Sequence, residues 1–265
     1  MPASWTRRQW LALLGAAVGK PAVRRKPAWL EPEIASFLDS ATEFPVRRLT
    51  APQGDHQLAV PPCRSIARRG EFLVFSSNRS GSWQLYWLEW RSGRILQLTE
   101  LANLDPEDYT LVPDDRACLC FDGSRLVRIN LRDREIRTVY AIPPDWQRGK
   151  GLALSRDGRL LLVVEQGAGR HRLRIVEPKS GRARTWFEWD RPVRCPQLSP
   201  NSRQALFRDE AGRVWWLRAG AGSPQQLKLP PGRIGPVYWA PDSQSVVYLH
   251  TVSYTHLTLP TKRIV

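Results

Sequence analysis

Leu154–Val164 reads LSRDGRLLLVV, a large apolar residue, a polar reversal, and then an apolar run too short for a helix. The same design returns as LVPDDRACLCF at Leu111–Phe121, LSPNSRQALFR at Leu198–Arg208 and WAPDSQSVVYL at Trp239–Leu249. Pro, Asp, Asn, Gly and Ser reverse a chain because they pre-set φ, tolerate a left-handed backbone or bond to their own main chain. The alternating run behind each reversal predicts a strand of period 2. Taken from the proline position (Pro113, Arg156, Pro200, Pro241), the copies stand 43, 44 and 41 residues apart. An earlier copy without proline, SIARRGEFLVFSS, places Gly70 and the strand Phe72–Phe75 about one period upstream.

Behind each of these strands come two more: WQLYWLEW then RILQLTE, RLVRINL then EIRTVYAI, RLRIVEP then ARTWFEW, VWWLRAG then QQLKLP. A unit of roughly 40 to 45 residues carrying four short antiparallel strands is a propeller blade; a helical solenoid of that period needs a 3.6-residue rhythm, which is absent. The sequence therefore predicts an all-β chain, a β-propeller of four-stranded antiparallel blades. The expected division is a leader over 1–28, a lead-in with a closing strand over 29–56, and blades over 57–100, 101–145, 146–190 and 191–232. A partial blade follows over 233–251, and a non-native tail over 252–265. The tail, VSYTHLTLPTKRIV, lacks the blade pattern and resembles translated sequencing-adapter tails, so His256 and Lys262 are set aside. On that reading the chain shows about four complete blades, and the ring is open because the chain is cut short.

Ser199-Pro200-Asn201-Ser202 and SSNRSGSWQLYWLEWRSGRILQLT resemble the SPDG turns and SxRxGxxxLY hairpins of the TolB-like and oligogalacturonate-lyase-like propellers, a WD40-like PD40 group, over about residues 44–251. The resemblance implies a ring of seven blades, of which about four are complete here, and that VRRLT (Val46–Thr50) is an outer strand that completes the last blade of a closed ring. For the lyases it implies manganese-assisted β-elimination on uronate oligosaccharides, with a histidine base, an arginine at the acidic sugar and His/Gln metal ligands. Carried across, the arginine falls on Arg213 of GRVWW, and the base histidine falls on Pro236 of GPVYW, which cannot accept a proton. The histidine of a GHP stretch falls on Cys195 of VRCPQLSP, and a CHRNY motif becomes DHQLA with His56 one place off. Arg213 and His56 are the substrate-binding candidates; no catalytic residue and no metal ligand is assigned. His171, in the hairpin GAGRHRLRI, and His250, closing a strand, read as ordinary blade residues. The resemblance places the metal ligands in later blades, so manganese is expected only in a longer protein that is a lyase.

Composition narrows the partners. Of the net charge of +15, eight cations (Arg7, Arg8, Lys20, Arg24, Arg25, Lys26, Lys262, Arg263) lie in the leader and tail. In the body the arginines alternate with apolar residues, the pattern of solvent faces on strands, which argues against nucleic acid and leaves a mild attraction to acidic glycans. Thr6-Arg7-Arg8-Gln9-Trp10-Leu11 resembles the twin-arginine export motif, and the apolar run after it is too short for a transmembrane anchor. Twelve tryptophans against one methionine suit wide packing surfaces between stacked sheets. Cys63, Cys118, Cys120 and Cys195 lack zinc spacing and read as small buried hydrophobes. Neither a GxSxG elbow nor a phosphate-cradling loop occurs. The expected function is an exported, periplasmic or extracellular, monomeric lyase-like propeller that binds or scaffolds an acidic oligosaccharide or an envelope protein. The alternatives are an oligogalacturonate lyase and the propeller of an exported serine peptidase whose catalytic domain is missing.

Overall fold

The computed structural model describes residues 29–251 and 261–263; the leader over 1–28 and His256 lie outside the described residues. The lead-in holds β1 (Trp29–Leu30), β2 (Ala35–Leu38) and β3 (Pro45–Arg48). The first sheet contains β4 (His56–Gln57), β5 (Phe72–Ser77), β6 (Gln84–Glu89) and β7 (Ile95–Gln97), with β1 added outside β7. The second has β8 (Leu104–Leu111), β9 (Ala117–Asp122), β10 (Arg125–Asn130) and β11 (Ile136–Ala141). The third has β12 (Gln147–Leu154), β13 (Leu161–Gly167), β14 (Arg170–Val176) and β15 (Ala183–Trp189). The fourth has β16 (Arg194–Leu198), β17 (Gln204–Arg208), β18 (Val214–Arg218) and β19 (Gln225–Gln226), and the fifth β20 (Arg233–Trp239), β21 (Ser245–Thr251) and β22 (Thr261–Arg263). All described strand pairs are antiparallel, and the sheets follow one another as the blades of a β-propeller.

Period 2 explains why the sheets stack. On β9, Cys118 and Cys120 face the first sheet, packing with Phe72, Val74 and Tyr109, while Ala117, Leu119 and Phe121 face the third sheet with Leu152, Leu161 and Val163. On β17, Ala205 and Phe207 join Val164 and Leu173 behind them, and Leu206 joins Val237 and Val246 ahead. Each middle strand thus serves two interfaces, and each large side chain so buried contributes about 1.5–3 kcal/mol. The reversals between first and second strands are equally regular: Asp115, Gly158, Ser202 and Ser243, at one position of the repeat, all have left-handed φ, between 58° and 74°.

Three features depart from the sequence reading. Trp29–Leu30, assigned to the lead-in, extends the first sheet by pairing with Ile95–Leu96. Val46–Arg48 forms a separate hairpin with Ala35–Phe37 and joins no blade, leaving Phe37, Leu38 and Phe44 exposed. Thr261–Arg263, read as outside the blade pattern, lies beside Ser245–Val247, because an unpaired strand edge accepts any extended segment that offers N–H and C=O groups. The tryptophans pack between sheets as expected, yet Trp216 alone among the described ones is buried; Trp87, Trp146, Trp186 and Trp215 are half-buried at blade seams.

Candidate functional site

The strands β8, β12, β16 and β20 are first in their sheets and lie against one another, so they line the axis. All begin at the same end, here termed the leading end; the Pro/Asp/Ser reversals occupy the other, the turn end. Near the leading end each inner strand breaks register: β8 between Leu104 and Tyr109, β12 between Arg148 and Leu152, β16 between Arg194 and Gln197, and β20 between Ile234 and Val237. Bulges re-aim side chains off the pleat, and they recur here at one level of the ring. Gly151 shows why the sequence requires it: φ is 100°, and a Cβ would stand 2.5 Å from Pro196 Cδ of the next blade.

The first half of this end is filled by ion pairs. Arg148 Nη1 bonds Asp108 Oδ2 at 2.9 Å, its Nη2 meets Asp105, and the Gly151 amide donates to Asp108 Oδ2 at 2.8 Å. Lys150 reaches Glu107 at 3.3 Å. Burial opposes ionisation of Asp105, but the Glu107 amide and Arg148 outweigh it and hold its carboxyl below the ordinary value; at Asp108 burial wins and raises it. Farther out on the same seam, Glu165 is fully buried and takes the Tyr140 hydroxyl at 2.6 Å and Arg172 Nε at 2.7 Å, with Arg172 stacked 3.7 Å over the Trp146 ring. These carboxylates were not singled out in the sequence. The signal is Leu104–Leu111, LDPEDYTL, three acids where the strand pattern calls for alternation, answered one repeat later by QRGKG at Gln147–Gly151.

The second half is different. Between β16–β18 and β20 lies a cavity of 310 Å³, lined by Cys195, Leu206, Arg208, Pro236 and Tyr238 among others, with Val60 and Pro61 on its axial side. The loop Leu58–Arg64 reaches this position by leaving the first sheet: the Val60 amide bonds Glu107 O at 3.2 Å, and Cys63 Sγ donates to Leu152 O at 3.2 Å. Cys195 is exposed rather than buried, because its φ of 49° at the bulge turns it out of the pleat. Cys195 and Pro236, the two positions where the resemblance implies histidines, therefore line one cavity.

His56 and Arg213 lie at the leading end but are engaged within the protein. His56 Nε2 donates to Ala51 O at 2.9 Å, since a carbonyl only accepts, and Nδ1 is hydrogen-bonded with the Ser77 hydroxyl at 2.9 Å. Arg213 Nε bonds Asp209 Oδ2 at 2.6 Å, an oxygen that also takes the Trp215 indole N–H at 3.1 Å. Burial works against the Asp209 charge, but these donors keep its carboxyl below the ordinary value. The Arg213 side chain remains about half exposed, at 47%. His171 sits opposite Trp189; burial and the charge of Arg194 lower its pKa, with Glu210 opposing. Among the described residues no three His, Cys, Asp or Glu side chains converge to hold a metal ion, so the residues present do not fit a manganese centre.

No family model matches the chain. An oligogalacturonide lyase of Pectobacterium atrosepticum and an oligogalacturonate lyase of Dickeya dadantii are each 30% identical to it over 112 residues, 42% of this chain and 29% of those proteins. The match therefore spans under a third of the curated relatives' length. A solved oligogalacturonate lyase in complex with manganese superposes with a TM-score of 0.81 at 20% identity, covering 90% of this chain and 71% of that one. The oligogalacturonate lyase of Vibrio parahaemolyticus gives 0.79 at 17% identity, over 90% of this chain and 74% of that one. A putative TolB from Agrobacterium tumefaciens gives 0.58 at 13%, over 82% and 80%. By fold, the chain is a β-propeller like those of the oligogalacturonate lyases and TolB proteins.

Proposed function

We propose that the chain is an exported lyase-like propeller that binds acidic oligosaccharides at its leading end and has no elimination chemistry of its own. The observation that carries this reading is the pairing of Cys195 and Pro236 on one cavity wall, where the resemblance implies imidazoles, beside an arginine, Arg208, that suits a uronate carboxylate. His56 does not replace the missing base, because both its ring nitrogens are engaged. A second reading, a working oligogalacturonate lyase whose metal ligands and base belong to a longer protein, is favoured by the 30% match to two such lyases and by the manganese in a structural neighbour.

Two measurements on one preparation separate the readings. Calorimetric titration with oligogalacturonate reports binding, and ultraviolet absorbance of unsaturated uronate, with and without manganese, reports elimination. Binding without turnover is the expected result. Metal-dependent turnover replaces the first reading by the second, and the absence of both binding and turnover overturns each.

A further inference from the structure

The cavity between the fourth and fifth sheets carries an inference beyond general oligosaccharide binding. We infer that it is a metal-independent subsite for a single carboxylate-bearing sugar ring, with Arg208 as the residue that takes the carboxylate. The inference rests on the functional reading above, and it places recognition on a residue to which the resemblance gives no role.

Three observations meet there. The lining holds no Asp, Glu or His; Gln197, whose Nε2 donates to Val237 O, offers a lone side-chain amide oxygen, which is not the set of carboxylates and imidazoles that holds a manganese ion. Arg208 is half-buried, and its guanidinium donates only to carbonyls, Gly212 O at 3.3 Å and Gly235 O; these carry no net charge to offset it. Its partner in register across the sheet is Arg194, and neither forms an ion pair among the described residues. Like charges opposite one another on adjacent strands are destabilising, and the cost falls when an anion arrives. This contrasts with Arg148, in the preceding blade at the same end, which is neutralised by two aspartates.

The walls suit a sugar. Pro236 and Tyr238 are exposed on the bulged start of β20, and Val214 and Leu206 form the floor. Sugar rings present C–H faces to such surfaces and hydroxyls to solvent, and a cavity of 310 Å³ is at the small end of ligand sites, the size of one ring rather than a chain. A planar guanidinium has five N–H donors, so two carbonyls leave donors free to meet a carboxylate edge-on.

Cys195 supplies the readout. It is exposed on the cavity wall, whereas Cys118 and Cys120 are buried and Cys63 is half-buried, so a maleimide applied to the folded full chain reports on Cys195 first. Saturating oligogalacturonate should slow that alkylation about tenfold or more, equally in EDTA, and a neutral maltooligosaccharide should not. Arg208→Gln should weaken calorimetric affinity by about tenfold or more, and Tyr238→Ala should weaken it by a smaller factor, each checked for folding by circular dichroism. Calorimetric binding with unchanged Cys195 alkylation and full affinity in both variants places the ligand elsewhere and overturns the subsite while leaving the functional reading intact. Protection that disappears in EDTA overturns metal independence. No binding by the unaltered chain overturns both proposals.

Discussion

At the seam of the second and third sheets the buried carboxylates Asp105, Asp108 and Glu165 all lie within reach of an arginine; at the seam of the fourth and fifth, Arg208 has only carbonyl partners, and its register partner Arg194 on the same sheet forms no ion pair among the described residues. The same bulged inner strand builds both places, so the difference is one of side chains on a shared backbone. The first seam holds blades together, and its charges are spent on one another. The second retains unspent positive charge beside an apolar hollow, which costs stability and prepares a site.

If this contrast is sound, substitutions in the two seams have opposite signatures, large in stability at the first and large in binding at the second. The largest expected effect is that of Arg148→Met, which strands Asp105 and Asp108 in the interior; urea unfolding should show a loss of about 3–5 kcal/mol. A loss below about 1 kcal/mol would mean that the seam is not an electrostatic lock. Glu165→Gln keeps the shape and removes the charge that Arg172 needs, and a loss of about 2–3 kcal/mol is expected in the same assay. Tyr140→Phe removes one hydroxyl donor from Glu165 and should cost about 1 kcal/mol. Arg208→Gln, at the second seam, should stay within about 1 kcal/mol of the unaltered chain in urea while weakening the ligand.

The smallest expected effect concerns pH. Folding lowers the pKa of His171, so between the lowered value and the ordinary one the unfolded chain binds more protons than the folded chain, and stability rises with pH there. That contribution is complete above the unfolded histidine pKa, about 6.5, and is lost as pH falls from there through the lowered folded value. The urea midpoint should therefore decline as pH falls below about 6.5, and His171→Gln should flatten the decline. An identical slope in the variant would assign the dependence to other groups.

The blades were legible because their signals are local. A reversal with a left-handed residue at Asp115, Gly158, Ser202 and Ser243, followed by period-2 strands, needs no knowledge of distant chain. Pairings at sheet edges were not legible, since Trp29–Leu30 and Thr261–Arg263 each use an open edge and carry no pattern that names a partner. The site was legible by position but not by state. The resemblance pointed to Arg213, Cys195 and Pro236, and the structure brings the last two to one cavity. His56 has a suitable side chain, yet only the folded geometry shows Ala51 and Ser77 occupying its nitrogens. Arg208 escaped notice because it reads as one more strand-end arginine until Arg194 appears opposite it and Gly235 beneath it.

The account turns on the leading end of the second seam as the place where ligand binds. Hydrogen–deuterium exchange on the full chain, with and without oligogalacturonate, tests that most directly. Protection confined to Arg194–Leu198, Gln204–Val214 and Arg233–Trp239 is the predicted result, and protection centred on the reversals at the turn end, or on the seam of the second and third sheets, contradicts it.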